Sequence, residues 1–351
     1  MTNDIDLSLR EAIGLRSKEH VFILTDRNAN ACCLPIIQST LHLPDSQVLC
    51  LDSGEESKNV DGLQTIWDFL LHHDATRQSI LLILGGGSLM DLGGLAATTY
   101  MRGIAYVNIP TTLLAMVDAA QGGKTGINYA GYKNLIGTFS EPDRIIEYIP
   151  FIKTLPANQF LSGWAEMLKH TLISSPLQLA QWRAFDLNKW FSSPSEELLL
   201  QLQDLVERSI EIKRYIVEAD PREVNMRQTL NFGHTVGHAL EAFSQKTDKP
   251  LLHGYAVLYG MVAELYLSHL RFSFPEHQLQ QVVSYMKEFY GKPVCSCRDY
   301  DELLTLMHHD KKNRKSNDIT FTLLHSIGNY RLGCVCSETE IKEALDFLFN
   351  C

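Results

Sequence analysis

Between residues 21 and 150, short apolar runs recur with helical stretches between them, and this alternation limits the fold more than any other feature. The runs are VFILTD (21–26), QVLCLDS (47–53), SILLILGGGS (79–88), IAYVNIP (104–110) and RIIEYIP (144–150). Between the second and third, VDGLQTIWDFLLHH carries apolar residues at helical spacing. Strands alternating with helices predict a parallel sheet with helices on its faces, and an unbroken run such as SILLIL suits a strand buried on both sides.

Past residue 155 the pattern changes. PANQFLSGWAEMLKHTLIS, SEELLLQLQDLVERSIEIKRYIVEAD, TLNFGHTVGHALEAFS and LLHGYAVLYGMVAELYLSHL all have helical periodicity, while NDITFTLL and NYRLGCVC near the end read as short strands. Pro150 and Pro156 flank the best boundary. The expected domains are 1–152, α/β, and 153–351, mostly helical.

With 351 residues, 45% of them hydrophobic, the chain is long enough for two cores. A net charge of −10 argues against general nucleic-acid binding, which needs a basic surface. The polar, acidic start MTNDIDLSLREAIG does not read as a signal segment, and no apolar run reaches membrane-helix length. The expected compartment is cytoplasmic, with the eight cysteines as free thiols. The pairs Cys295/Cys297 and Cys334/Cys336 are spaced more tightly than structural zinc cysteines usually are.

Two glycine-rich segments invite a ligand. ILGGGSLMDLGGLAATTY is a buried strand, a triple glycine and a helix start, where a phosphate would meet free N–H groups. It does not meet the strict G-x-G-x-x-G form. VDAAQGGKTGINYAGYKNLIG contains G-K-T without the spacing of a Walker loop, and it gathers Asp118, Lys124, Lys133 and Asn134 in a short span.

The helical half holds a candidate metal site. In SGWAEMLKH, Glu166 and Lys169 lie three apart on one helix face, and LNFGHTVGHAL and LLHGYAV supply His234, His238 and His253. A carboxylate with two imidazoles suits zinc or cobalt with an open position. Spacing alone favours His234 with His238, but the protease pattern H-E-x-x-H is absent, and a lone histidine pair is more often structural.

Taken in order, these segments resemble a known family. GGGSLMDLGGLAATTYMRG, PTTLLAMVDAAQGGKTGIN, KNLIGTF, KTLP, SGWAEMLKH, EIKRYIVEADPRE, LNFGHTVGHALEA, HGYAV and DKK are similar, in sequence and in order, to 3-dehydroquinate synthase. TDRN and SGEESKN resemble its nucleotide-contacting segments.

The resemblance implies an N-terminal Rossmann-like domain carrying NAD and a mostly helical C-terminal domain carrying the metal, with the active site in the cleft between them. It implies Glu166, His234 and His253 as ligands of one zinc or cobalt ion, and His238 as a substrate contact instead. For NAD it implies Asp26, Asn28, Glu55, Lys58, Gly86, Gly87, Asp91, Thr111, Thr112, Asp118, Lys133 and Asn134. For substrate it implies Arg102, Asp118, Lys124, Lys169, Lys213, Arg227, Asn231 and His238, with Lys311, Lys312 or both. Such a basic set in an acidic protein suits a substrate with both phosphate and carboxylate.

The implied reaction converts 3-deoxy-D-arabino-heptulosonate 7-phosphate to 3-dehydroquinate and phosphate. NAD is recycled, so the net chemistry is that of a lyase, and a homodimer is the implied assembly. Two alternatives remain: a valiolone- or inosose-forming cyclase, and an iron-type alcohol or glycerol dehydrogenase, against which G-G-K-T and KNLIG speak. Tyr255 stands where the family commonly has Glu, and it is expected to tune the surroundings of the metal.

Overall fold

The computed structural model describes residues 1–2, 4–293, 295–308 and 318–351, and divides into two compact units, Met1–Pro156 and Ala157–Cys351. Lys311 and Lys312 lie outside the described residues.

The first unit is built on five parallel strands: β1 (Val21–Asp26), β2 (Val48–Leu51), β3 (Ile80–Gly85), β4 (Ala105–Pro110) and β7 (Arg144–Ile145), in the order β2-β1-β3-β4-β7. β1 is buried but for its last residue, and β3 is buried throughout, as strands covered on both faces must be. One face packs Phe22, Leu24, Leu81 and Ile83 against Leu63, Ile66 and Leu70 of helix Val60–His72 and Leu92, Leu95 and Ala96 of helix Gly87–Thr99. Because β2 lies on one side of β1 and β3 on the other, the strand order reverses between β1 and β3. Crevices at the carboxyl ends of such strands are where α/β sheets bind ligands.

One expectation needed correction here. The run at 144–150 forms a two-residue strand, and a 3₁₀ turn, Ile149–Thr154, takes over at its proline-containing end. The segment with G-K-T forms an antiparallel hairpin, β5 (Lys124–Tyr129) and β6 (Tyr132–Phe139), in which Lys124 opens a strand. β6 is exposed along nearly its whole length, so it shows no alternating burial to reveal it in sequence.

Among the described residues, the second unit is helical except for one hairpin, β8 (Thr320–Ser326) and β9 (Asn329–Val335). Its axis is helix His253–Phe272, in which residues 256–265 are all buried; apolar residues all round a helix suit only that position. Glycine permits the close approach of its neighbours. A Cβ at Gly260 would lie 1.9 Å from the Gly233 carbonyl oxygen at the start of helix His234–Ser244, and one at Gly254 would lie 1.9 Å from the Ser162 carbonyl oxygen on helix Ala157–Ser174. Among the described residues no helix is long and apolar enough to cross a membrane, and all eight cysteines are free.

Helix Glu338–Asn350 is tied down at its start by a fork. Arg271 donates from Nε and Nη2 to the two oxygens of Glu340 (2.5 and 2.6 Å), and Glu340 also closes a capping box with Ser337. The Arg271 hydrogen bonds hold the Glu340 carboxyl at about 2. A depressed carboxyl stabilises the fold above its unfolded value and loses that contribution as pH falls through the folded one. The advantage of the native chain over Glu340→Gln in urea unfolding is therefore expected to be about 1 kcal/mol at pH 6, discounted for partial exposure. It should shrink between pH 4.5 and 2; an advantage that stays constant with pH would remove Glu340 as its source.

Candidate functional site

The sheet and the helical unit each carry one half of the expected machinery. In the sheet unit, β3 ends at Gly85 and helix Gly87–Thr99 begins at once, with Gly86 as a cap that offers no side chain to the first-turn N–H groups. A Cβ at Gly87 would lie 2.7 Å from the Ala119 Cβ, so only glycine fits. Thr111 N–H donates to the Gly85 carbonyl (2.9 Å), and Thr112 caps the short helix Leu113–Val117, which ends at Asp118. Asp26, at the end of β1, accepts from the N–H groups of Asn28 and Ala29 and from Ser53 Oγ. These turns lie at the carboxyl ends of β1, β3 and β4 and suit a dinucleotide on chemical grounds: free amides for phosphates, carboxylates for ribose hydroxyls.

Next to them runs a polar network that the sequence did not reveal. Lys58, buried, donates to Asp91 (2.6 Å) and to Asn134 (2.5 Å). Glu55 accepts from Ser88 and from Asn128 Nδ2 (2.8 Å), and Asn128 Oδ1 accepts the Asn134 N–H. Burial opposes ionisation of Glu55, but Lys58 and these hydrogen bonds outweigh it and hold the carboxyl below its ordinary range. Asp91 is raised, because burial outweighs Lys58. Asn134 keeps its place at φ 51, a left-handed conformation that asparagine tolerates.

Lys124 and Lys133 are exposed on the hairpin, and Lys133 lies close enough to Glu55 to help lower its carboxyl. One expected residue stands apart from the glycine turn. Arg102 is exposed beyond the far end of the glycine-turn helix, whose 13 residues span roughly 20 Å.

In the helical unit, the Ala157–Ser174 helix presents Glu166, fully buried, which pairs with buried Lys169 three residues on. His234 opens one helix and His253 the next. Their Nε2 atoms lie 3.7 and 3.5 Å from Glu166 Oε1. Two ligands about 2.1 Å from a tetrahedral ion are about 3.4 Å apart, so these separations fit one ion. Ligand atoms of Glu166, His234 and His253 all lie within 4.8 Å of one another.

The opposite ring nitrogens are engaged: His234 Nδ1 with the Phe232 carbonyl (3.1 Å), His253 Nδ1 with Glu241 (3.2 Å). In the neutral tautomer that donates from Nδ1, each Nε2 would present a lone pair to a metal. Burial would lower His253, but Glu241 and then Glu166 raise it to about 10. Two carboxylates around one imidazole make a place that favours positive charge. The donor set and its surroundings thus fit a divalent metal.

The His238 ring lies 5.2 Å from that of His234 and 6.0 Å from that of His253. Lys213, on helix Glu196–Ala219, and Arg227, on the 3₁₀ turn Met226–Asn231, are both buried; Arg227 Nη1 donates to the Pro221 carbonyl (2.9 Å). Asn231 Nδ2 donates to Glu223 (2.8 Å). The loop that carries them is drawn around Asp220, which accepts the N–H groups of Val224, Asn225 and Arg227.

Tyr255 packs among aromatic neighbours. Its ring packs on Tyr290 at 4.8 Å, and the carboxylate at His253 Nδ1 is Glu241. Glu241 escaped the sequence reading, although it follows His238 by three residues and so shares its side of the helix.

Models of the N-terminal and C-terminal parts of 3-dehydroquinate synthase match residues 48–162 and 163–313. The chain belongs to the 3-dehydroquinate synthase family. A 3-dehydroquinate synthase of Parabacteroides distasonis is 42% identical over 344 residues, covering 98% of this chain and 95% of its relative. One of Pyrococcus furiosus is 36% identical, covering 88% of this chain and 87% of its own.

Among solved structures, the 2-epi-5-epi-valiolone synthase of Streptomyces hygroscopicus, with NAD+ and Zn2+ bound, superposes with TM-score 0.83 at 25% identity, over 94% of this chain and 91% of that one. A 2-deoxy-scyllo-inosose synthase with carbaglucose-6-phosphate, NAD+ and Co2+ reaches 0.79 at 21% identity, over 97% and 94%, and shares the fold.

Proposed function

We propose that this member of the 3-dehydroquinate synthase family converts 3-deoxy-D-arabino-heptulosonate 7-phosphate to 3-dehydroquinate and phosphate, as a lyase dependent on NAD and on one zinc or cobalt ion. The observation that carries the reading is the convergence of Glu166, His234 and His253 in a chain whose sheet unit has a glycine turn beside its switch point. When bound, NAD takes up and returns a hydride while the metal polarises substrate hydroxyls.

The remaining work falls to this chain's own residues. Glu166, His234 and His253 hold the metal. Asp26, Asn28, Glu55, Lys58, Gly86, Gly87, Asp91, Thr111, Thr112, Asp118, Lys133 and Asn134 hold the dinucleotide. The polar network just described positions Lys58, Glu55 and Asn134 for one another. Lys213 and Arg227 bind the substrate's anionic groups, Arg227 through its planar fork. Asn231 and His238 orient hydroxyls by hydrogen bonding, His238 through whichever ring nitrogen faces them. Arg102, Asp118, Lys124, Lys169, Lys311 and Lys312 complete the substrate set. Positioning and electrostatics of this kind supply most of what such a reaction asks of the protein. A cytoplasmic homodimer completes the reading; the free thiols suit a reducing compartment.

The same fold in valiolone and inosose synthases keeps a second cyclase reading open for the substrate. Phosphate and NADH measured side by side test both. With catalytic NAD, phosphate is expected to accumulate over many turnovers without net NADH. NADH formed one-for-one with substrate loss would mark a dehydrogenase. Turnover of a sugar phosphate lacking the carboxylate, in place of the heptulosonate, would support the other cyclases.

A further inference from the structure

The two histidine-bearing helices hold each other by exchanged carboxylates. Glu241, near the end of helix His234–Ser244, reaches the first residue of the next helix: its Oε2 lies 3.2 Å from His253 Nδ1. Glu264, fully buried in helix His253–Phe272, reaches back to the start of the first. Its Oε2 accepts the Gly233 N–H at 2.8 Å, and its Oε1 accepts the Thr235 N–H at 3.2 Å. These two amides flank His234.

Such a capping role normally falls to a Ser, Thr or Asp just before the helix. Here the cap residue is Gly233, at φ 80, and it offers no side chain. The carboxylate comes from 31 residues away in sequence. It meets both the free first-turn amides and the positive end of the helix dipole. A local cap would serve helix stability as well. A carboxylate on the neighbouring helix also sets the distance and rotation between the helices that present His234 and His253.

We infer that Glu241 and Glu264 are positioning residues for the metal: Glu241 holds the His253 ring with Nε2 toward Glu166, and Glu264 fixes the helix start that aims His234. The inference rests on the reading of Glu166, His234 and His253 as ligands. It goes beyond that reading by making metal affinity depend on two carboxylates that do not touch the ion. Groups that orient a metal-bound imidazole typically change affinity 10–100-fold when removed.

Metal affinity of the full chain, measured for Zn2+ by competition with a chromophoric chelator, tests it, together with the visible absorption of Co2+ in the protein. Glu241→Ala is expected to weaken Zn2+ binding by about 10–100-fold. Glu241→Gln, whose amide oxygen still accepts the His253 N–H, should recover most of the loss. Glu264→Gln can accept only one of its two amides well, and is expected to weaken binding and alter the Co2+ spectrum. Glu343→Gln serves as the control: that carboxylate accepts the Tyr266 hydroxyl at the surface.

If Ala at position 241 prevents folding, judged by far-ultraviolet circular dichroism of the metal-free protein, Glu241→Met fills a similar volume without an acceptor and carries the same expectation. Native affinity and an unchanged Co2+ spectrum in folded Glu241 and Glu264 variants, with the wild type binding metal, would overturn the inference and leave the ligand reading intact. A wild type that binds no metal would overturn both.

Discussion

His253→Ala is expected to bring bound metal to background and to lower kcat/KM by roughly a thousandfold or more. The magnitude follows from losing a Lewis acid that supplies several kcal/mol, at about 1.4 kcal/mol for each factor of ten. His253 Nε2 is 3.5 Å from Glu166 Oε1, and a two-ligand remnant of Glu166 and His234 cannot close a three-ligand site. His238→Ala makes the contrast. Its ring lies beside the other two but His238 is not in the converging set, so that variant is expected to retain metal while losing rate. Elemental analysis of both proteins after dialysis decides the matter. Equal metal content in the two would sink the division of roles.

Gly260→Ala is expected to destabilise the helical unit by about 3 kcal/mol and to weaken metal binding with it. Helix propensity alone predicts the opposite sign, because alanine in a helix interior is better than glycine by about 1 kcal/mol. The added Cβ, however, would sit 1.9 Å from the Gly233 carbonyl oxygen, and its neighbour at 2.7 Å is the Gly237 nitrogen. Both are backbone atoms and have no rotamer to escape into. The helices must separate, and that separation moves His234 relative to His253. Urea unfolding of the metal-free protein reads the first effect, and chelator competition the second. A variant as stable as the wild type would mean that the helices do not approach this closely.

The legible parts of this fold were those whose burial is uniform along the chain. β1, β3 and β4 are mostly apolar runs; the ends of β1 and β4 fell within a residue of the expected ones, while the 79–88 run stops as a strand at Gly85. Hairpin β5–β6 was not legible, because its second strand is exposed and shows no alternating burial. The run at 144–150 had the composition of a strand, but only two of its residues are assigned strand pairs, with β4. In the candidate site, the residue types and their order pointed to metal and dinucleotide, and the ordered motifs pointed to the family now matched over residues 48–313. Glu241 and Glu264 carry no such mark. A glutamate in a helix is ordinary, and only its reach toward another helix makes it a brace.

The sequence by itself determined the alternation that makes a parallel sheet, the glycine turn between β3 and its helix, and the supply of a carboxylate and three histidines. These are local properties, set by the two-residue and 3.6-residue periods of the backbone and by what glycine permits. The tertiary structure alone decided which imidazole nitrogens meet the Glu166 carboxylate, that Tyr255 turns to Tyr290, and that Glu241 stands beside His253. The reason lies in helix packing. Where Gly254 and Gly260 let three helices touch backbone to backbone, a rotation of one helix moves every side chain on its face, and no spacing within a single helix records it.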